Sequence, residues 1–100
     1  MLNSFHYLRT TEEIKKQVSK IVGQQLADPR IGFVTISRVS LSKDMKFAKI
    51  FITILDDTKR EDSLFRLNNA TGYIRRLLAK KIRLRETPKL QFFWENKTEQ

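Results

Sequence analysis

The sequence of 100 residues contains no cysteine, one histidine, three glycines and two prolines. Without cysteine it can form neither a disulfide nor a thiolate metal site, which fits a reducing cytoplasm. Its longest apolar stretch, residues 50–55, is far shorter than the roughly 20 residues that a membrane-spanning helix requires. The start of the chain lacks the charged and apolar regions of a signal peptide. We therefore expect a cytoplasmic protein that does not cross a membrane.

The sequence also contains little that could support catalysis. His6 is the only histidine, and it lies near the chain start, where a solvated surface role is expected. No phosphate-binding loop, zinc-protease motif or dinucleotide motif is present. The acidic pairs Asp56-Asp57 and Glu61-Asp62 are typical of a solvated turn and of a helix start. We therefore expect no enzymatic activity, no bound metal ion and no cofactor.

Positive charge dominates the composition. There are 20 Lys and Arg residues against 11 Asp and Glu residues, for a net charge of +9. A chain of this length has room for a single hydrophobic core, so we expect one domain over residues 1–100, with an ordered core over about residues 9–96. The charge favours an anionic partner, with nucleic acid ahead of an acidic protein surface or an anionic lipid.

The first helix is predicted from apolar residues spaced at steps of three and four. Asp28 precedes Pro29 and is therefore pushed out of the helical region, so the helix should end near Ala27. Thr10-x-x-Glu13 is a candidate capping box, although apolar residues upstream leave an earlier start open. The apolar stripe consists of Ile14, Val18, Ile21, Val22 and Leu26.

An antiparallel hairpin follows the first helix. Residues 34–41 alternate with a phase slip at Ser37-Arg38, which predicts a bulge, and residues 47–54 alternate strictly. Residues 42–45 supply the turn between the two strands. Phe47 and Phe51 are predicted on the outer face of the second strand, where an exposed ring among cations can stack on unpaired bases.

The second half of the chain predicts two helices and a strand. After a polar loop over residues 56–63, helical spacing runs to about Leu84, and Asn68-Asn69 and Gly72 predict a break within it. Beyond Pro88, apolar residues alternate again and predict a third strand whose Phe92 and Trp94 lie in the core. The order α-β-β-α-α-β indicates an α+β fold with a three-stranded sheet packed against helices.

A cluster of cations lies between Arg75 and Lys89. This window holds seven cationic residues and one acid, Glu86, so it contributes +6 of the net charge. On a continuous helix Arg76, Lys80 and Arg83 would lie within an arc of roughly 60°, forming a ridge that can follow a phosphate backbone. The alternative is a solvated helix face, because cations are also favoured late in a helix by its dipole.

Several spaced motifs resemble the ribosome-binding factor A family. They are Asp28-Pro29-Arg30, Val34-Thr35-Ile36, Asn69 to Arg75 and Ile82-Arg83-Leu84-Arg85, and the resemblance covers about residues 9–96. It implies a K-homology domain of the second type, in which an Ala-x-Gly kink, here Ala70-Thr71-Gly72, takes the place of the usual Gly-x-x-Gly loop. Gly72 would then relax the backbone, and the small Ala70 would let the two helices approach closely.

The resemblance also implies a function. A protein of this family binds the small (30S) ribosomal subunit and its precursor, assists maturation of 16S rRNA and supports growth in the cold, without being an enzyme. Two alternatives remain open: a general single-stranded RNA-binding K-homology module, and a module whose positive face binds an acidic protein. We expect a monomer, although an exposed sheet edge would permit a dimer. The implied RNA-binding residues are Asn69, Ala70, Thr71, Gly72, Arg75, Arg76, Lys80, Lys81, Arg83 and Arg85.

Overall fold

The computed structural model of the protein describes residues 4–26 and 28–95. Helices and strands follow one another in the predicted order α-β-β-α-α-β. Within the described residues, no helix is long and apolar enough to cross a membrane. The elements are α1 (Ser4–Lys20), a π-helical turn (Ile21–Gln25), β1 (Val34–Leu41), β2 (Phe47–Ile54), a 3₁₀ turn (Asp57–Lys59), α2 (Arg60–Asn69), α3 (Thr71–Lys81) and β3 (Lys89–Trp94).

The three strands form one mixed sheet in the order β1-β2-β3. β1 and β2 are antiparallel, with the predicted irregularity between Ile36 and Arg38, and β2 and β3 are parallel. In the hairpin turn Met45 has a left-handed φ of 62°. The Asp44 carboxylate accepts hydrogen bonds from the Ser42 hydroxyl and the Lys46 amide, which lower the pKa of Asp44. The predicted hairpin and bulge are confirmed.

All three helices pack on one face of the sheet. Phe92 lies in this core as predicted, whereas Trp94, which was also predicted in the core, is only half-buried at its margin. No helix within residues 4–26 and 28–95 covers the opposite face of the sheet, and Phe47 is 54% exposed there. The buried apolar residues are Ile14, Val18, Ile21, Ile36, Leu41, Ala48, Ile50, Ile52, Leu67, Ile74, Leu78, Leu90 and Phe92.

The first helix begins earlier than a capping box at Thr10 would allow. α1 starts at Ser4, and Thr10 is buried within it, so the candidate capping box is wrong and the earlier start that the sequence left open is correct. The Tyr7 hydroxyl donates a hydrogen bond to the carbonyl oxygen of Leu41. This bond connects the N-terminal part of α1 to the end of β1. At its other end the helix passes into the π-helical turn, and Leu26 is extended. The predicted end at Ala27 lies outside the described residues.

Residues 28–31, which precede β1, form a tight turn. The Asp28 carboxylate accepts hydrogen bonds from the Arg30 amide and from the Arg30 guanidinium at 3.0 and 3.1 Å. These bonds lower the pKa of Asp28. The motif Asp28-Pro29-Arg30 therefore has a local structural role, because proline sets the turn and its two neighbours close it.

The second helix begins inside the segment that the sequence predicts as a polar loop. α2 starts at Arg60, and the hydroxyl of the buried Ser63 accepts a hydrogen bond from the Gly32 amide at 3.0 Å. α3 ends at Lys81 rather than near Leu84, because Ile82 is extended, with φ −124° and ψ 129°. Helical spacing in the sequence continues past Lys81 although the helix does not, because Ile82 packs against the core from the following loop.

Candidate nucleic-acid interface

α2 and α3 meet at Ala70, which has a non-helical backbone with φ −96° and ψ 5°. The Ala70 amide donates to the carbonyl oxygens of Arg66 and Leu67, and its own carbonyl oxygen accepts the Ile74 amide at 2.9 Å. Both backbone polar groups of Ala70 are therefore hydrogen-bonded, one to α2 and the other to α3. Ala70 is half-buried against the core, as expected of a small residue where two helices approach.

Gly72 does not relax the backbone at this joint. It lies in the first turn of α3, its φ is outside the left-handed region, and a Cβ built on it would meet nothing within 4 Å. The expectation that glycine makes the bend is therefore wrong, since the bend lies two residues earlier. Because Gly72 has no side chain, the surface beside it is open. It forms a shallow cavity of about 360 Å³ lined by Gly72, Arg75, Arg76, Ala79 and Thr87.

The other polar residues at the joint divide into buried and exposed groups. Asn68 pairs its carboxamide with the backbone of Phe92, and the Thr71 hydroxyl donates to the Asn68 carbonyl oxygen at 3.1 Å. Asn69 is exposed. Of the predicted polar residues at the joint, Asn69 therefore presents its side chain to solvent, while Thr71 is half-buried and already bonded.

Arg75 is engaged within the protein. Its guanidinium donates from Nε and Nη2 to the carbonyl oxygen of Thr87, at 3.0 and 2.6 Å, and from Nε to that of Pro88 at 3.2 Å. Arg75 is half-buried. These bonds hold the loop over residues 82–88 against α3. Sequence reasoning assigned this cation to RNA, because it cannot detect carbonyl groups that only the folded loop brings near.

The cations further along α3 are exposed. Arg76, Lys80 and Lys81 lie on the solvent side, and α3 contains no acidic residue. Salt bridges within residues 4–26 and 28–95 involve Arg30, Arg38 and Arg66 and none of the α3 cations. The positive charge of α3 is therefore not neutralised by carboxylates in this part of the chain.

An aromatic residue that the sequence analysis did not select accompanies these cations. Tyr73 is 43% exposed, and the Arg76 guanidinium lies 5.9 Å from the centroid of its ring. The signal was present in the sequence as a tyrosine and an arginine three apart on one helix. An exposed ring beside a cation can stack on an unpaired base.

The last two predicted cations leave the helix. Because α3 ends at Lys81, Arg83 does not continue the ridge of Arg76 and Lys80, and the predicted three-residue ridge is wrong. Both Arg83 and Arg85 are exposed on the following loop. Arg85 lines a separate cavity of about 320 Å³ beside the β1–β2 turn. The structure therefore brings together Gly72, Arg75 and Arg76 and separates Arg85 from them.

Comparison with known proteins identifies the family. The family model described as ribosome-binding factor A matches residues 6–100. The chain belongs to the ribosome-binding factor A family. A ribosome-binding factor A from Natranaerobius thermophilus is 43% identical over 89 residues, which cover 88% of this chain and 68% of that protein. Members of this family are noncatalytic ribosome-binding factors, in agreement with the sequence prediction.

Solved structures of the ribosome-binding factor A family have the same fold. The solution structure from Thermotoga maritima has a TM-score of 0.78 and 34% identity, covering 93% of this chain and 90% of that one. The crystal structure from Thermus thermophilus also has a TM-score of 0.78, with 27% identity, covering 86% and 92%. The predicted type II K-homology-like fold is thus confirmed.

The Thermus thermophilus relative has also been placed on its target. A homology model of that ribosome-binding factor A was fitted into an electron cryo-microscopy map of a 30S complex. That model matches this chain with a TM-score of 0.69 and 27% identity, covering 83% of this chain and 88% of that one.

Proposed function

We propose that this protein binds the small ribosomal subunit and its precursor through the α2–α3 joint and the cations that follow it, and that binding assists maturation of 16S rRNA. The observation that carries the proposal is the acid-free surface of α3, whose exposed cations make no salt bridge within the described residues. The 30S complex of the Thermus thermophilus relative supports the choice of target. The proposal places the protein in the cytoplasm, where small subunits assemble.

The proposed interface combines charge with an open surface. Arg76 and Lys80 are one helical turn apart on a rigid helix, so they can contact phosphates along one backbone. Gly72, one turn before Arg76, leaves room for that backbone to approach α3. Tyr73 adjoins Arg76 and offers a ring to an unpaired base.

Binding by itself is sufficient for an assembly role. A factor that binds one RNA arrangement more tightly than another shifts the population by that difference in affinity, so no nucleotide hydrolysis is required. The Ala70 joint and the loop held by Arg75 fix the spacing of the cations before RNA arrives. A preorganised positive surface selects the RNA arrangement whose phosphates match it.

Sedimentation with purified small subunits, joined ribosomes and a short unstructured RNA tests the proposal. We expect much tighter binding to small subunits and their precursor than to joined ribosomes or to the short RNA. Equal binding to the short RNA would instead identify a general single-stranded RNA-binding K-homology module. Indifference to every RNA would identify a module for an acidic protein partner. Either result would overturn the proposed function.

A matched pair of double variants locates the surface. Arg76→Glu with Lys80→Glu should abolish binding to small subunits while the circular dichroism spectrum stays unchanged, since both side chains are exposed. Lys16→Glu with Lys20→Glu makes the same charge change at the same spacing on exposed positions of α1 and should bind almost normally. Equal loss in both would show that only net charge matters and would remove α3 from the site.

A further inference from the structure

The face of the sheet opposite the helices carries rings and cations in alternation. Along β2, Phe47, Lys49 and Phe51 occupy successive positions on this face. They lie directly opposite residues 89, 91 and 93 of β3, and Arg38 of β1 lies opposite Phe51. We call this the outer sheet face; its residues are Arg38, Phe47, Lys49, Phe51, Lys89 and Phe93.

The centre of the outer sheet face is a layered stack. The rings of Phe51 and Phe93 lie 5.6 Å apart between centroids, with an interplanar angle of 28°. The Arg38 guanidinium covers Phe51 at 3.8 Å from its centroid, and its Nε donates to the Glu95 carboxylate at 2.9 Å. A guanidinium fixed from two sides presents its outer plane to solvent, and bases stack on such planes.

Phe47 lies at one end of this face and is the most open of its rings. It is 54% exposed, and the Lys89 ammonium is 6.0 Å from its centroid. Phe47 and Phe51 are four residues apart on one strand, which separates them by about 13 Å at 3.3 Å per residue. Lys49 lies between them, with its ammonium 5.8 Å from the ring of Phe93. Rings are therefore interleaved with cations along the strand.

The chemistry of this face selects its occupant. Among the described residues this face has three cations, Arg38, Lys49 and Lys89, and one carboxylate, Glu95, which is already bonded to Arg38. The face is therefore net positive. An acidic peptide would satisfy these charges but would leave the ring planes without a partner. Single-stranded RNA supplies both a negative backbone and flat bases, the combination that ring-and-cation surfaces bind.

We propose that the outer sheet face is a second RNA-binding surface that takes a short unpaired stretch of RNA. Two or three bases, about the number that comparable sheets accommodate, stack on Phe47 and on the Arg38–Phe51 pair, while Lys49 and Lys89 contact phosphates. Because this face is opposite to the helices, it is separate from the α2–α3 joint. One molecule can then hold two RNA segments at once.

Titration of a short labelled oligouridylate measures this surface directly. Phe47→Ala should weaken binding about 5- to 150-fold, the loss expected for one stacked base. The exposed ring is not part of the core, so the variant should keep its circular dichroism spectrum. The matched control is Phe5→Ala: that ring is 71% exposed on α1 with Arg9 at 5.8 Å, and its removal should leave the affinity unchanged.

A second arm separates stacking from charge. A strand of equal length without bases should bind the wild type more weakly than oligouridylate does, and Phe47→Ala should shrink that difference. No binding of oligouridylate by the wild type, or equal affinity of the wild type and Phe47→Ala, would overturn the proposal. So would a Phe47→Ala variant that loses small subunits but not oligouridylate, since that would place a protein on this face.

The experiments can reject either of the two proposed RNA-binding surfaces without rejecting the other. If Phe47→Ala has no effect on oligouridylate while Arg76→Glu with Lys80→Glu still loses small subunits, only the outer sheet face is rejected. If Phe47→Ala weakens oligouridylate binding while Arg76→Glu with Lys80→Glu still binds small subunits normally, only the surface at the α2–α3 joint is rejected.

Discussion

The carboxamide of Asn68 pairs with the backbone of Phe92 as a neighbouring strand would. Its Nδ2 donates to the Phe92 carbonyl oxygen at 3.1 Å, and its Oδ1 accepts the Phe92 amide at 2.8 Å. The Glu95 amide donates to the carbonyl oxygen of Ile52 in β2, and the Lys89 amide donates to that of Lys46, just before β2. Backbone groups of alternate residues point to opposite sides of a strand, so those of Phe92 point away from β2, to the free edge of the sheet. One side chain of α2 thus fills the centre of an open strand edge.

Asn68→Ala should therefore destabilise the fold. It leaves an amide and a carbonyl group of β3 without their partner, for an expected loss of about 1–3 kcal/mol in the free energy of unfolding. Urea denaturation measures the loss, and Asn69→Ala, at the exposed neighbouring position, is the control and should stay within about 0.5 kcal/mol of wild type. Equal stability of the two variants would contradict the bonding role of Asn68.

The same pair bears on the oligomeric state. An unpaired strand edge invites a second chain, and Asn68 occupies the middle of the β3 edge. Asn68 therefore hinders a second chain from pairing with β3, which supports the prediction of a monomer.

Replacing Arg75 should lower the free energy of unfolding more than replacing its exposed neighbour Arg76. Arg75→Met keeps most of the aliphatic packing and removes the bonds to the Thr87 and Pro88 carbonyl oxygens. Hydrogen bonds to a charged group contribute about 1.5–3 kcal/mol, so a loss of that order is expected on urea denaturation. Arg76→Met should change the unfolding free energy by less than about 0.5 kcal/mol. A reversed ranking would show that Arg75 does not hold the loop.

Periodicity and turn chemistry predicted most of the fold. The alternation of β2 and the phase slip at Ser37-Arg38 each have a local physical cause, and a local cause can be identified in sequence. The break between α2 and α3 was predicted close to where it lies, but it is at Ala70 and not at Gly72. The end of α3 was missed because Ile82 and Leu84 continue the apolar spacing in the sequence, although Ile82 packs against the core from an extended loop.

The candidate site was predicted less fully than the fold. The charge of α3 is visible in composition, but the partner of each cation depends on what folding brings near it. Arg75 and Arg76 are adjacent and identical in type, yet one bonds to carbonyl oxygens and the other is exposed. Asn68 and Asn69 differ in the same way, because one faces the β3 edge and the other faces solvent.

Salt dependence should report how many cations meet phosphate. Five predicted cations are exposed: Arg76, Lys80, Lys81, Arg83 and Arg85. If all five contact phosphates, log affinity for the small subunit should fall with log salt at a slope of about −3.5 to −4.5. Filter binding at a series of salt concentrations gives the slope.

A single-site variant calibrates that slope. Lys80→Ala should make it shallower by about 0.7–0.9, the value of one phosphate contact. If the plot of log affinity against log salt keeps the wild-type slope in this variant, Lys80 does not contact phosphate.

Gly72→Ala should make the protein more stable but weaken its binding to small subunits. Gly72 lies in the first turn of α3 with open space where a Cβ would stand, so alanine should stabilise the helix by about 0.5–1 kcal/mol. If the RNA backbone lies against Gly72, the added methyl group must push it away, and overpacking of this kind costs about 1–3 kcal/mol of binding free energy. We therefore expect a higher melting temperature together with weaker binding to small subunits.

The control for this variant is Gly23→Ala in the π-helical turn, where a Cβ also meets nothing within 4 Å. It makes the same chemical change on a surface outside the proposed interface, so it should leave binding unchanged. A loss of stability in Gly72→Ala would mean that this glycine serves the fold after all. Full binding with raised stability would mean that RNA does not approach α3 at its first turn, because nothing within the described residues explains the absence of a side chain there.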